Sequence, residues 1–441
     1  MTDGLDILFS NTDIITMDDK HPTIFNGCVG VSDGKITYVG SHRPTVPVKR
    51  IIDCKGRILM PGLINTHAHT AMCLMRGYAD DYKLDEWLYN KVLPVEARLD
   101  ERAVLAGFRL GAAEMLRNGT TSISDMYFFQ PAVAKLALEL GIRVSLSNAV
   151  VAIDPNGFDY KNDRSIVETI ELMRYWHGAG DGRIRADVSI HAEYTSFPDV
   201  WRFMHEIAHE YGLITHLHLS ETLSEHEECK KRYGKTPAQV FSDEGVFDSP
   251  VLAAHCVYIE PDDMDLMAQK GVSVSHCPVS NLKLASGLAD IRAMILNGIN
   301  VSLGTDGCCS NNSHDLFEEI KLAALLAKGL SKDPSAISAY QALKLATVNA
   351  AAAQGRAGQI GSIAEGYDAD IILLDTGHLN LTPIYDPVSA VVYSGRGADV
   401  CLTMVQGRIL YENGAFSSVD IEFARNEVLN LSLIHISEPT R

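Results

Sequence analysis

Residues 62–69 read Gly62-Leu-Ile-Asn-Thr-His67-Ala-His69. A short apolar run ends there in two histidines, and the same texture returns seven times. The further runs cover residues 121–124, 144–147, 186–190, 214–218, 251–254, 272–275 and 301–304, after a first at 62–66. Helical patterns separate most of them, at 101–117, 131–140, 166–175, 200–211, 261–268 and 291–296, with one more somewhere in 225–241. Strictly alternating βα units imply an α/β fold with a parallel sheet, and eight of them fit a (β/α)8 TIM-like barrel. An open doubly wound sheet is the alternative. The barrel is preferred because the polar residues fall at the carboxyl ends of the strands, where a barrel carries its chemistry.

Both chain ends look different. Short apolar runs at 6–9, 13–16, 27–31 and 35–39 alternate with turns such as Ser32-Asp-Gly34, and the texture recurs at 369–374, 390–393, 400–405 and 408–411. Neither end suffices for a core alone. The expectation is one small β-sandwich domain built from 1–58 and 366–420, around a barrel at 59–365. Residues 431–441, Leu-Ser-Leu-Ile-His-Ile-Ser-Glu-Pro-Thr-Arg, resemble an in-frame translation of a sequencing adapter and are read as a non-native tail.

The 441 residues carry a net charge of −18, with 46% hydrophobic and 21% charged residues. That composition is globular. So acidic a surface repels phosphate backbones and anionic lipid, which argues against nucleic-acid and membrane partners. No signal peptide and no transmembrane run are expected. The nine cysteines include one adjacent pair and no Cys-x-x-Cys, which fits a reducing, cytoplasmic location. Oligomeric state is left open, a homo-oligomer among the options.

The strand ends deliver Thr66-His67-Ala-His69, His191-Ala-Glu193, His216-Leu-His218-Leu-Ser-Glu221, His255, His276-Cys-Pro278 and Thr305-Asp306. Histidines at i and i+2 point to one side of a strand, so His67 and His69 can grip one ion. His218 and Asp306 would complete a shell of three imidazoles and one carboxylate, suited to Zn, Fe or Mn. Such an ion lowers the pKa of a bound water toward neutrality. Glu221 is then the proton carrier, and His255 is set to hold or deprotonate the water.

Pro61-Gly-Leu-Ile-Asn-Thr-His67-Ala-His69, His218-Leu-Ser-Glu221, Ala254-His255-Cys, His276-Cys-Pro-Val-Ser-Asn281 and Leu303-Gly-Thr-Asp306-Gly together resemble the amidohydrolase superfamily. Within it they resemble the branch of 5-methylthioadenosine/S-adenosylhomocysteine deaminases. The resemblance spans residues 5–415 and implies a distorted barrel with a β domain from both termini. It implies hydrolytic deamination at C6 of 5′-thio-substituted adenosines, to inosine analogues and ammonia. One divalent metal, zinc first and Fe or Mn next, is implied on His67, His69, His218 and Asp306. Glu221, His255 and Asp306 are the implied catalytic groups. Ser189-Ile-His191 stands where binuclear members carry a bridging lysine, so a single ion is implied. Trp87 and Glu96 match positions near the sugar, Glu96 taking the ribose hydroxyls, and His191 and Glu221 match substrate contacts. The arginine that often follows the third strand is missing from 148–155, and Arg164 is its nearest substitute. That departure makes S-adenosylhomocysteine less secure than 5-methylthioadenosine. Rival substrates are guanine, 8-oxoguanine, a pterin or an s-triazine, and a non-catalytic scaffold is the remote alternative.

Several features read as bland. His205-Glu-Ile-Ala-His209 matches the zinc-protease pattern, but falls in a helix outside the barrel without a third ligand. Cys277, Cys308 and Cys309 are taken as small packing residues. His276 is taken as orienting a loop. His216 is taken as turned outward, opposite His218, and structural. Asp80 and Asp81 read as a solvated acidic turn. The Gly355 to Gly361 segment lacks a following Lys-Ser/Thr and reads as a loop.

Overall fold

The computed structural model describes residues 4–436. The amino-terminal strands are β1 (Leu5–Ile15), β2 (Thr23–Ser32), β3 (Lys35–Gly40), β4 (Val48–Asp53) and β5 (Arg57–Pro61). The two runs expected at 6–9 and 13–16 form the single strand β1, which carries Asn11 at positive φ and register shifts on either side of Thr12. Next come β6 (Leu63–His69), β7 (Thr120–Tyr127), β8 (Arg143–Asn148) and β9 (Ile184–Ala186). They are followed by β10 (Val188–Ile190), β11 (Thr215–Leu219), β12 (Val251–His255), β13 (Ser273–His276), β14 (Asn300–Leu303) and β15 (Asp306–Gly307). The last strands are β16 (Ile371–Asp375), β17 (Val400–Val405), β18 (Arg408–Glu412) and β19 (Ala415–Phe416).

All eight expected inner strands form. They lie in two five-stranded parallel sheets, β15-β6-β7-β8-β9 and β10-β11-β12-β13-β14. The sheets hand over at Asp187, between β9 and β10, and at Gly304-Thr305, between β14 and β15. At both places one strand of the sequence pattern is shared between the sheets. Around the second break the Thr66 hydroxyl bonds Leu303 O at 2.9 Å, and Gly304 N bonds His276 O at 3.0 Å. The arrangement is TIM-barrel-like.

The helices answer to local signals. Asp100 caps the helix Glu101–Arg117, its carboxylate accepting from Ala103 N at 2.8 Å. The single helix expected in 225–241 is two, Leu223–Tyr233 and Pro237–Asp243. Gly234 at φ 70° ends the first. Thr236 and Gln239 then form a capping box, with Pro237 at the first helical position.

The chain ends join in one nine-stranded mixed sheet, ordered β19-β18-β17-β16-β5-β1-β2-β3, with β4 also on β1. Its core holds Phe9, Val29, Ile36 and Leu59 from one end and Ile371, Leu402 and Met404 from the other. One expected strand fails: residues 390–393 lie in the helix Pro387–Tyr393. Asp386 accepts from Val388 N and Ser389 N, and Pro387 follows it. That helix start outweighs the β preference of the two valines. A last helix spans Ile421–Ile436, so the segment read as a foreign tail begins inside it. Ser432 Oγ bonds Leu74 O at 2.8 Å, and residues 437–441 lie outside the described residues. Among the described residues no helix is long and apolar enough to cross a membrane.

At the amino ends of the inner strands, buried Arg143 joins the two parts of the molecule. Its guanidinium bonds Asp370 (Nε to Oδ2, 2.9 Å) and Asp368 (Nη2 to Oδ2, 3.0 Å), both just before β16.

Candidate functional site

At the opposite ends of the same strands, His67, His69 and His218 present nitrogens within 4.8 Å of one another. All three are buried. His69 Nδ1 donates to Met126 O at 2.6 Å, and His218 Nδ1 donates to His191 O at 2.6 Å. In each neutral ring the proton is therefore on Nδ1, and Nε2 carries a lone pair. The two Nε2 atoms stand 3.3 Å apart with no proton between them. His67 Nε2 is buried without a hydrogen-bond partner. Converging bare lone pairs in a buried site fit a bound cation, and such groups without one would be costly.

Asp306 Oδ1 lies 3.5 Å from His67 Nε2 and 3.2 Å from His69 Nε2. Its other oxygen accepts from Ser280 Oγ at 2.6 Å and Ser310 Oγ at 2.7 Å. Burial works to raise this acid, but the His67 and His69 rings beside it hold it well below the usual carboxylate range. His255 Nδ1 lies 2.8 Å from Asn281 Oδ1, which turns Nε2 toward Glu221 Oε2 at 3.7 Å. Burial raises Glu221, against the pull of His255. The loop under Glu221 is fixed by Glu225, whose carboxylate accepts from Ser220 N (3.0 Å) and Glu221 N (2.7 Å). His255 and Asp306 both hold positive φ, at 69° and 60°. Strained backbone of this kind persists only where the surroundings enforce it.

These groups form one wall of a cavity with an empty volume of about 630 Å³. Trp87, Glu96 and His191 line it beside apolar Met72, Leu84, Leu88 and Leu284. Burial raises the Glu96 carboxyl. The lining contains no lysine or arginine. Arg164 lies outside it, over the Phe129 ring at 4.3 Å and 3.8 Å from Glu168. Of the sequence-derived candidates, Arg164 alone is not brought to the cavity or to the histidine cluster.

His216 corrects an expectation. It is fully buried, and its Nε2 sits 2.9 Å from His67 Nδ1. Residues two apart on a strand share a side, so His216 faces inward like His218 and backs the His67 ring. His276 is buried too, but does not line the cavity. His205 and His209 lie in the helix Pro198–Tyr211, and among the described residues they belong to no cluster able to hold a metal. Asp80 is less free than a solvated turn: its Oδ1 binds Lys283 Nζ at 2.5 Å. In the Gly355 to Gly361 loop, buried Arg356 donates to Gly182 O at 2.7 Å, as befits a structural loop. Asn281, Ser280, Ser310 and Glu225 are the supports that sequence reasoning missed. Ser280 and Asn281 stood in a quoted motif; Ser310 and Glu225 carry no pattern of their own.

The Amidohydrolase family model matches residues 58–410. The chain is 40% identical, over 97% of its length and 99% of the relative's, to a 5-methylthioadenosine/S-adenosylhomocysteine deaminase of Acetivibrio thermocellus. It is 43% identical to a 5'-deoxyadenosine deaminase of Methanosarcina acetivorans, over 92% of this chain and 93% of that one. The crystal structure of an adenosine deaminase from Xanthomonas campestris with bound zinc superimposes with a TM-score of 0.92 at 31% identity, covering 98% of this chain and 99% of that one. With its strand-end histidines, carboxylates and cavity, the chain belongs to the amidohydrolase family.

Proposed function

We propose that this chain is an aminohydrolase that removes the 6-amino group of 5′-substituted adenosines, releasing ammonia and the inosine analogue. The observation that carries the reading is the convergence of Glu221, His255 and Asp306 with three bare imidazole nitrogens on one wall of an apolar cavity. The deaminase names of relatives near 40% identity agree with it. His67, His69, His218 and Asp306 would hold one divalent cation, with zinc the first choice. When bound, it supplies the Lewis acidity that makes water a nucleophile near neutral pH.

The protein's own groups do the rest. His255 Nε2 and the free oxygen of Asp306 orient the attacking water and accept its proton. Glu221, raised by burial, carries a proton to the ring nitrogen next to C6. Water adds at C6, the C6–N bond breaks, and ammonia departs with the returned proton. Trp87 and the apolar wall exclude solvent, Glu96 takes the ribose hydroxyls, and His191 contacts the purine. The cation-free lining favours a 5′-methylthio or 5′-deoxy group over the amino-acid tail of S-adenosylhomocysteine. Arg164, the substitute the sequence offered for that tail, is stacked on Phe128 and Phe129 outside the lining.

The same reading takes the two parallel sheets as a closed barrel at 59–365. It takes 1–58 and 366–420 as one sandwich-like β domain, 431–441 as foreign, and the site of action as the cytoplasm. An ammonia-release assay over 5-methylthioadenosine, S-adenosylhomocysteine, adenosine, guanine and a chloro-s-triazine tests the substrate assignment. The expected order puts 5-methylthioadenosine first and S-adenosylhomocysteine well behind. Turnover of guanine or the triazine with the adenosines untouched would sink it.

A further inference from the structure

A second cluster of soft ligands lies apart from the cavity. Cys73, in the turn Thr70–Met75 after β6, places its Sγ 3.6 Å from Cys308 Sγ, just after β15. His314 joins them, all three ligand atoms lying within 4.8 Å of one another. None of these residues belongs to the histidine cluster above, and all are buried.

The Thr305 hydroxyl accepts from Asn65 Nδ2 at 2.7 Å and lies 3.1 Å from His314 Nδ1. The other ring nitrogen of His314, Nε2, is buried without a hydrogen-bond partner. Two thiolates held tetrahedrally at about 2.3 Å from zinc stand about 3.8 Å apart, close to the separation found. Nearby, Arg76 Nη2 donates to Cys73 Sγ at 3.5 Å, and Arg76 is paired with Glu114. Two thiolates with this neutral pair sum to two negative charges, which a divalent cation cancels.

We propose that Cys73, Cys308 and His314 form a second metal site, taking a thiophilic divalent cation such as Zn2+ and tying the turn after β6 to the loop after β15. Coordination replaces two thiol protons, which leave to solvent, so no oxidant is needed.

Zinc-edge X-ray absorption on the zinc-loaded wild-type protein tests this without a variant. The catalytic cluster contains no sulfur, so two bound ions should average one sulfur neighbour per zinc. Co2+ substitution should likewise give a thiolate-to-cobalt charge-transfer band in the near ultraviolet. That band should vanish in Cys73→Ser and in Cys308→Ser, while ammonia release stays within about twofold. Absence of sulfur around zinc, or a band that survives both serine variants, overturns the proposal. The readouts are spectral, so failure of the deaminase reading leaves this test standing.

Discussion

The two ends of the same inner strands bury polar groups in opposite ways. At the amino ends, Arg143 is neutralised by Asp368 and Asp370 at 2.9–3.0 Å, and the bonds run between parts of the molecule that must stay together. At the carboxyl ends, His67 Nε2 has no partner and the His69 and His218 nitrogens face each other bare. His255 and Asp306 hold positive φ there as well. Burial of polar groups is common to both clusters; what differs is that at the amino ends opposite charges pair, with Arg143 Nη1 left over, while at the carboxyl ends unpartnered imidazole nitrogens converge. Paired charges serve the fold, and converging lone pairs suit a cation.

The most forceful way to break that contrast is Glu221→Gln. The amide keeps the shape but cannot carry the proton, so kcat should fall by about 10²–10⁴-fold. Metal content should be unchanged and the melting temperature no lower. Turnover near the wild-type rate in the ammonia assay would remove Glu221 from the reaction. Arg143→Met is the mirror experiment. It takes the guanidinium from buried Asp370 and leaves Asp368 with Lys35 as its remaining ion pair, and should cost about 3–5 kcal/mol in denaturant unfolding. The fraction that remains folded should turn over at the wild-type rate. If Arg143→Met instead cut kcat while leaving stability intact, the division of labour between the two ends would be wrong.

A smaller effect probes the layer behind the ligands. A cation on His67 Nε2 would leave His67 Nδ1 to donate to His216 Nε2, 2.9 Å away. His216→Phe removes that acceptor and leaves the His67 ring free to turn. Metal affinity, measured by competition with a chelator, should drop about 10–100-fold. At saturating metal the rate should largely return. An unchanged affinity would mean that the two rings merely touch.

How much of this the sequence discloses depends on the range over which each feature is determined. Strand periodicity is local, so the inner strands and the inward pair His67 and His69 are legible from residues two apart. His216 obeys the same rule, and reading it as outward misapplied that rule. Trp87 and Glu96 carry no local pattern; the family resemblance alone pointed to them. The residues that aim the active groups were hidden for a different reason. Ser280, Asn281 and Glu225 stand in helices and Ser310 in a turn, and tertiary contacts set where those segments lie against the site. The same holds for β4, whose exposed residues lack a clear apolar alternation and which forms because β1 offers it an edge. At 390–393 two signals competed, and the Asp386-Pro387 helix start prevailed over β propensity.

The smallest expected effect tests whether the amino-end cluster is as self-sufficient as it looks. Asp187 sits where the fourth strand passes from one sheet to the other. It is fully buried, and its Oδ2 has no partner. Burial pushes this acid up to about 7, against the pull of Arg185 and Arg356. Between the ordinary carboxylate value and about 7, the folded chain holds a proton that the unfolded chain releases. Its contribution to stability is therefore complete in acid, declines as pH rises toward about 7, and is gone above that. Asp187→Asn keeps the shape and cannot ionise. Its advantage over the wild type in unfolding free energy should grow by about 1–3 kcal/mol between pH 5 and pH 8. A difference that stays flat over that range would mean that Asp187 is ionised throughout and paired with the arginines, making the cluster still more self-contained. A growing difference would identify Asp187 as an acid held neutral by burial, which the arginines beside it do not satisfy.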